Sequence, residues 1–477
     1  MSLQKRDNIK KELSTLSCPF TWQLTDASNH YVKTQKLYKD TPDDNIDEEA
    51  YLTLEKLISC LVILYEKVLF NEMDRANIKL EECEKLLMEM KDKREEEDIM
   101  RVIEHIFNST KCHYLFELNK IEQLKIILPT IIRTSDFDNI ELAALIGCQS
   151  VAWSIFLDYG RIKAMDLANQ AIEKNSDKAL WHFILAKNAR KDRRLINRSS
   201  APSEIEKLHF KVAYNKSPNP VFGIYLAQMY RECSWTVSFP EKKNYDQLLL
   251  SIYKELLRSN EHNYKILLKL ALGFVRINSS CESELAKYCL DAIEKMEPYN
   301  STYFHYKGIY LQKFGDMKEA LEFFKKAGEL HNYPAEMDYV KYGWKAKLLD
   351  PLIHLQSMLV KYDRFNERKQ EICLNIAICY YQRQDMKRAI EYYLKAIEID
   401  PNSKKLKIKY TFLNFTTQHY KGGMYDFLKS TFLKTAKNCV EYRRKNQIFI
   451  KAYNKLQHLC SLYDKRFDTH QVSNVEE

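Results

Sequence analysis

The stretch from Glu371 to Asn402, EICLNIAICYYQRQDMKRAIEYYLKAIEIDPN, constrains the fold more than any other part of the chain. It reads as two amphipathic helices joined by the short turn Arg383-Gln384-Asp385. Ala377 and Ala389, one from each helix, are small where two antiparallel helices must cross closely. Tyr380 and Tyr393 are large, to fill the space between this hairpin and its neighbours. Asp400-Pro401-Asn402 ends the second helix, because proline cannot continue it. A single hairpin of this kind cannot bury its own apolar face, so the chain must supply others like it.

It does. The order small, aromatic, small, aromatic, small, proline at Ala377, Tyr380, Ala389, Tyr393, Ala396 and Pro401 is that of one tetratricopeptide repeat. A second copy spans Thr302 to Asn332, with Gly308, Ala320, Phe324 and Ala327 in the same register. A third centres on Ala152, Ala164, Ala168 and Ala171. A fourth pairs Gly273 with Leu285, Cys289 and Ala292 and closes at Glu297-Pro298. A fifth starts at Trp181 to Ala186, passes through an enlarged turn and resumes at Phe210-Ala213-Pro218. A weaker sixth uses Leu64, Ala76, Leu80 and Cys83. Only 10 glycines and 11 prolines interrupt 477 residues, and no convincing run of alternating β-branched residues occurs. The expected fold is an all-α tetratricopeptide superhelix without sheet. We expect an N-terminal helical part over 1–134, a central superhelix over 135–331 and a C-terminal part over 332–477. Residues 332–368 read as an irregular pivot in which Pro351 breaks a helix.

The net charge of +9 is unevenly spread. Residues 1–100 hold 15 basic and 22 acidic groups, whereas residues 401–477 hold 15 basic and 6 acidic. An acidic head and a basic body point to an anionic partner, with solvated helix faces as the plain alternative. In the C-terminal part, Lys404, Lys405, Lys407 and Lys409 read as one basic helix and Arg443-Arg444-Lys445 as part of another. Twelve cysteines without paired spacing, and an opening that is charged and lacks an apolar leader core, indicate reduced thiols in a cytoplasmic protein. No apolar run reaches membrane-span length. Walker, GxGxxG, GxSxG, HExxH and zinc-type cysteine patterns are all absent, and His182, His209, His305 and His331 have no acid at a telling spacing. Neither catalysis nor a metal or cofactor is expected.

The most unusual stretch is Lys187 to Arg198, KNARKDRRLINR, with six basic residues against Asp192. It begins inside the first helix of the fifth repeat. Lys187 and Arg190 share a helix face, with Lys191 adjacent, and arginine suits bidentate phosphate contact. A solvated loop is the competing reading.

The opening Leu16-Ser17-Cys18-Pro19-Phe20-Thr21-Trp22, followed by irregular helical repeats to the end, resembles the interferon-induced proteins with tetratricopeptide repeats. The stretch from Asp74 to Met88, the alanines of Glu141 to Asn175, and the surroundings of Phe274-Arg276 and His305-Gly308 extend the resemblance over most of the chain. Known members of that family form a helical superhelix with a basic tunnel. They bind the 5′ end of single-stranded RNA, and some block translation of non-self RNA. The resemblance therefore implies an innate antiviral RNA-binding protein. It places Arg190 beside the family's phosphate-binding arginine, Phe274, Arg276 and His305 near RNA-lining positions, and Trp153 near a cap-stacking tryptophan. Two departures stand out. The family's phosphate-binding lysine falls on Ile155 or Leu157. Its N-terminal arginine and glutamine fall on Asp43 and Asp47, or on Tyr31 and Gln35, depending on the direction of alignment. The rival class is a protein-interaction scaffold, with other proteins or a second copy of the chain in the groove.

Overall fold

The structure, a computed structural model, describes residues 3–29, 52–197, 199–277, 280–442 and 446–472. Gln35, Tyr31, Asp43, Asp47 and Arg443-Arg444-Lys445 lie outside these residues. The helices divide into two compact units, one ending at Pro298 and one beginning at Tyr299.

In the first unit, α1 (Leu3–Leu13) packs on α4 (Met100–Glu117) and α5 (Ile121–Ile127) through Leu13, Leu16, Cys112, Leu115 and Leu124. Trp22 is buried and its Nε1 donates to Ser17 Oγ at 2.9 Å. Between α1 and α4 in sequence stands the hairpin α2 (Thr53–Leu69) and α3 (Met73–Asp92). Four hairpins follow α5: α6 (Asn139–Ser154) with α7 (Leu157–Lys174), α8 (Ala179–Ile196) with α9 (Glu204–Lys216), α10 (Pro220–Ser234) with α11 (Glu241–Ser259), and α12 (Tyr264–Arg276) with α13 (Ser280–Met296). Four helix starts in this unit, those of α6, α9, α10 and α12, are capped by side chains that accept from free backbone N–H groups. Asp138 with Glu141, and Ser203 with Glu206, form reciprocal capping boxes at α6 and α9.

The small residues sit at the helix crossings. A Cβ on Gly147 would lie 2.5 Å from the Trp181 ring, and one on Gly273 would lie 2.4 Å from Tyr253. Ala152, Ala164, Ala168 and Ala171 are fully buried. First helices of successive hairpins meet directly, α2 on α6, α6 on α8 and α10 on α12. This puts one face of each first helix on the inner side of the stack.

The second unit repeats the scheme with α14 (Ser301–Phe314) and α15 (Met317–Glu329), α16 (Tyr333–Lys345) and α17 (Pro351–Lys361), and α18 (Asn366–Gln382) and α19 (Met386–Ile399). Ala377, Ala389, Tyr393 and Ala396 are fully buried, and Tyr393 stands edge-on to Phe432 at 4.8 Å. Residues 333–361, read as irregular, form a hairpin like the others. Pro351 opens α17 instead of breaking a helix, because proline lacks only an N–H that has no partner in a first turn, and Asp350 caps that turn by accepting from Leu352 N at 2.9 Å.

The basic helix expected over Lys404 to Lys409 stops at Lys407, the end of α20 (Lys404–Lys407). Tyr410, Thr411, Phe412, Phe415 and Thr416 are β-branched or aromatic, and the chain turns there through Leu413 at φ 51°. The result is a small antiparallel pair, β1 (Thr411–Phe412) and β2 (Phe415–Thr416), the one sheet among the described residues. Helices α21 (Gly423–Phe427), α22 (Leu433–Tyr442) and α23 (Gln447–Val472) close the unit. Among the described residues, no helix is long and apolar enough to cross a membrane.

Candidate nucleic-acid interface

The basic stretch lies almost wholly on α8, which continues to Ile196 before the turn. Helix geometry therefore fixes Lys187, Arg190, Lys191, Arg193 and Arg194 firmly, and most of these charges are already engaged. Arg190 is 7% exposed. Its Nη2 donates to Glu232 Oε1 at 2.5 Å, its Nη1 to Gln228 Oε1 at 2.9 Å, and its guanidinium lies 5.5 Å from the Tyr225 ring centre. Arg193 forks onto Glu206 at 2.8 and 2.9 Å, donates to the Ser200 carbonyl, and also meets the second oxygen of Glu232. Lys187 Nζ is 2.5 Å from Glu55 Oε1.

Glu232, on α10, thus bridges two arginines while only 5% exposed. Burial pushes its carboxyl up, but the charges and hydrogen bonds of Arg190 and Arg193 pull it further down. It ends below the ordinary carboxylate range. Arg190 and Arg193 are balanced by Glu206 and Glu232.

Two other arginines are not balanced. Arg231, beside Glu232 on α10, has an Nε that is buried without a hydrogen-bond partner. Burial above all, with the charges of Arg276 and Arg190, holds its guanidinium below its ordinary value, although Tyr253 and Glu232 pull the other way. Arg276, in the last turn of α12, is exposed and makes no hydrogen bond or ion pair among the described residues. The phenol of Tyr253 is fully buried close to the same three arginines; burial pushes it up. Like charges gathered in one place, one of them desolvated, are unfavourable without an anion. Arg231 on α10 and Arg276 on α12 thus carry positive charge that no ion pair among the described residues takes up.

The other expected site residues fall elsewhere. Phe274 is fully buried, edge-on to Tyr253 at 5.6 Å, and belongs to the core, not to an open surface. Trp153 is half-buried near the end of α6, 6.2 Å from the Phe156 ring. Lys191 is half-buried on α8. His305 belongs to the second unit, where its Nε2 lies 3.0 Å from Asp338 Oδ2. His182 and His209 are brought together, Nδ1 to Nδ1 at 2.7 Å. Burial pushes both down, His209 to about 4, so at neutral pH they form an uncharged structural pair. Reading the sequence missed Arg231, and Glu232, the partner of Arg190 and Arg193.

Residues 371–403 match the model of the tetratricopeptide repeat. No curated protein sequence matches the chain. Among solved structures, the human IFIT1 dimer with PPP-AAAA is 13% identical, with 98% of this chain and 100% of that one covered at a TM-score of 0.50. The human IFIT1 dimer with m7Gppp-AAAA is 14% identical, with 98% and 100% covered at 0.51. A monomeric IFIT1 mutant with Gppp-AAAA is 15% identical, with 97% and 99% covered at 0.52. At these identities the likeness is one of fold: along nearly its whole length, this chain is a tetratricopeptide superhelix of the kind seen in IFIT1.

Proposed function

We propose that the first unit binds single-stranded RNA by the phosphates of its 5′ end, on the inner face formed by α8, α10 and α12, and acts as a cytoplasmic antiviral effector. The observation that carries this reading is the pair Arg231 and Arg276, positive, adjacent in charge and without carboxylate partners. The IFIT1 structures with PPP-AAAA and m7Gppp-AAAA share the fold. Arg190 supports the site from behind: it adds positive potential but spends its own hydrogen bonds on Glu232 and Gln228. A second reading, a protein-interaction scaffold, draws on one observation. Lys187, Arg190 and Arg193 are already paired, so the most basic stretch of the groove is nearly neutral.

The test is a salt series of RNA affinities for wild type, Arg276→Ala and Arg194→Ala. Removing a charge-assisted phosphate contact at Arg276 should weaken binding about ten- to a hundredfold. It should also lower the salt slope by about one phosphate. Arg194, exposed beyond the cluster, should matter little. Equal small losses for both variants would indicate a diffuse field. Absence of binding by the wild type at low salt would favour the scaffold.

A further inference from the structure

Trp235 follows the last residue of α10, one helical turn beyond Arg231. The Arg231 guanidinium lies over its indole, 5.2 Å from the ring centre. The indole is nevertheless 63% exposed, so the cation covers one face and the other stands in solvent. A lone exposed tryptophan needs no explanation. This one differs in two ways. Its underside rests on an arginine whose Nε has no hydrogen-bond partner, and that arginine belongs to the anion cluster with Arg276. A guanidinium stacked on an indole holds the ring plane in place and lowers the ordering cost of stacking a third planar group.

We propose that Trp235 is a base-stacking platform: its open face takes the nucleobase of the nucleotide whose phosphate is held by Arg231 and Arg276. The proposal rests on the RNA reading above and extends it from phosphate to base. Stacking uses the π-face that every base has, so this contact reads the presence of a base and not its identity. It also supplies what Arg231 and Arg276 lack, a means of distinguishing a nucleotide from a bare polyphosphate.

The experiment compares two 5′-triphosphorylated strands of equal length, one of ordinary RNA and one abasic throughout. Each is titrated against wild type, Trp235→Ala, Trp235→Phe and Arg276→Ala, with circular dichroism confirming the fold of each variant. Trp235→Ala should weaken binding of ordinary RNA roughly tenfold or more and leave the abasic strand unchanged. Trp235→Phe should retain most of the affinity, and Arg276→Ala should lose affinity for both strands. If Trp235→Ala loses equally on both strands, or on neither, while Arg276→Ala still loses on both, the platform is wrong and the phosphate site stands. If the wild type binds neither strand, both ideas fall together.

Discussion

Replacing Glu232 by alanine should destabilise the first unit by about 3–5 kcal/mol, the usual cost of stranding a buried ion-pair partner. Glu232 joins α8 to its own helix α10 through Arg190 and Arg193. Without it, Arg193 keeps the Glu206 fork, but Arg190 keeps only the neutral amide of Gln228, at 2.9 Å. The cost should be lower for Glu232→Gln, which preserves shape and one acceptor. Because the folded carboxyl lies below its unfolded value, its contribution is present above the ordinary glutamate range, near pH ~4.3, and is lost as pH falls through the folded value. The difference between wild type and Glu232→Ala in urea midpoint should therefore be large at pH 7 and shrink in acid. A difference independent of pH would mean that packing, not charge, holds this crossing. The same variant has a second readout. Removing one carboxylate from a cluster of arginines raises the local potential, so RNA binding at low salt should tighten in whatever fraction stays folded.

Trp181→Ala should be comparably severe, about 3–5 kcal/mol, from a cavity that its surroundings cannot refill. Trp181 is 1% exposed. Its ring lies against Gly147 so closely that even a methyl group there would sit 2.5 Å from it. The glycine on α6 has no side chain with which to close the gap. The denaturation midpoint read by far-ultraviolet circular dichroism should fall accordingly. A shift of only a few tenths of that size would mean that α6 and α8 settle together after the indole is removed.

The hairpin character of the chain was legible wherever a small residue and an aromatic recur within one repeat, as at Ala377, Ala389 and Tyr393. It was hidden over 333–361, and over 220–259 the repeat pattern itself is missing. Over 220–259, α11 presents Leu249, Tyr253 and Leu256 in place of small residues, and the space for Tyr253 comes from Gly273 on the next hairpin. A compensation between hairpins leaves no mark within either one. The candidate site divides in the same way. Arg190 was correctly placed on a first helix, but its state depends on Glu232, which lies on the following first helix and is brought to it only by stacking. α8 carries Arg193 onto Glu206 at the start of α9, a contact across the turn that spacing within the helix does not show. Arg276 was found through family resemblance. Arg231 was not, because nothing in the local sequence separates a guanidinium lacking a partner from one that has found a carboxylate.

The central claim is that the inner face of the first unit holds RNA by phosphates at its 5′ end. The most direct measurement is the affinity of the wild-type chain for one single-stranded RNA carrying either a 5′-triphosphate or a 5′-hydroxyl, across a salt series. The account predicts tighter binding of the triphosphate strand and a steeper fall of its affinity with salt, since more counterions are released. Equal affinities and equal slopes for the two strands, or no binding of either at low salt, would contradict it.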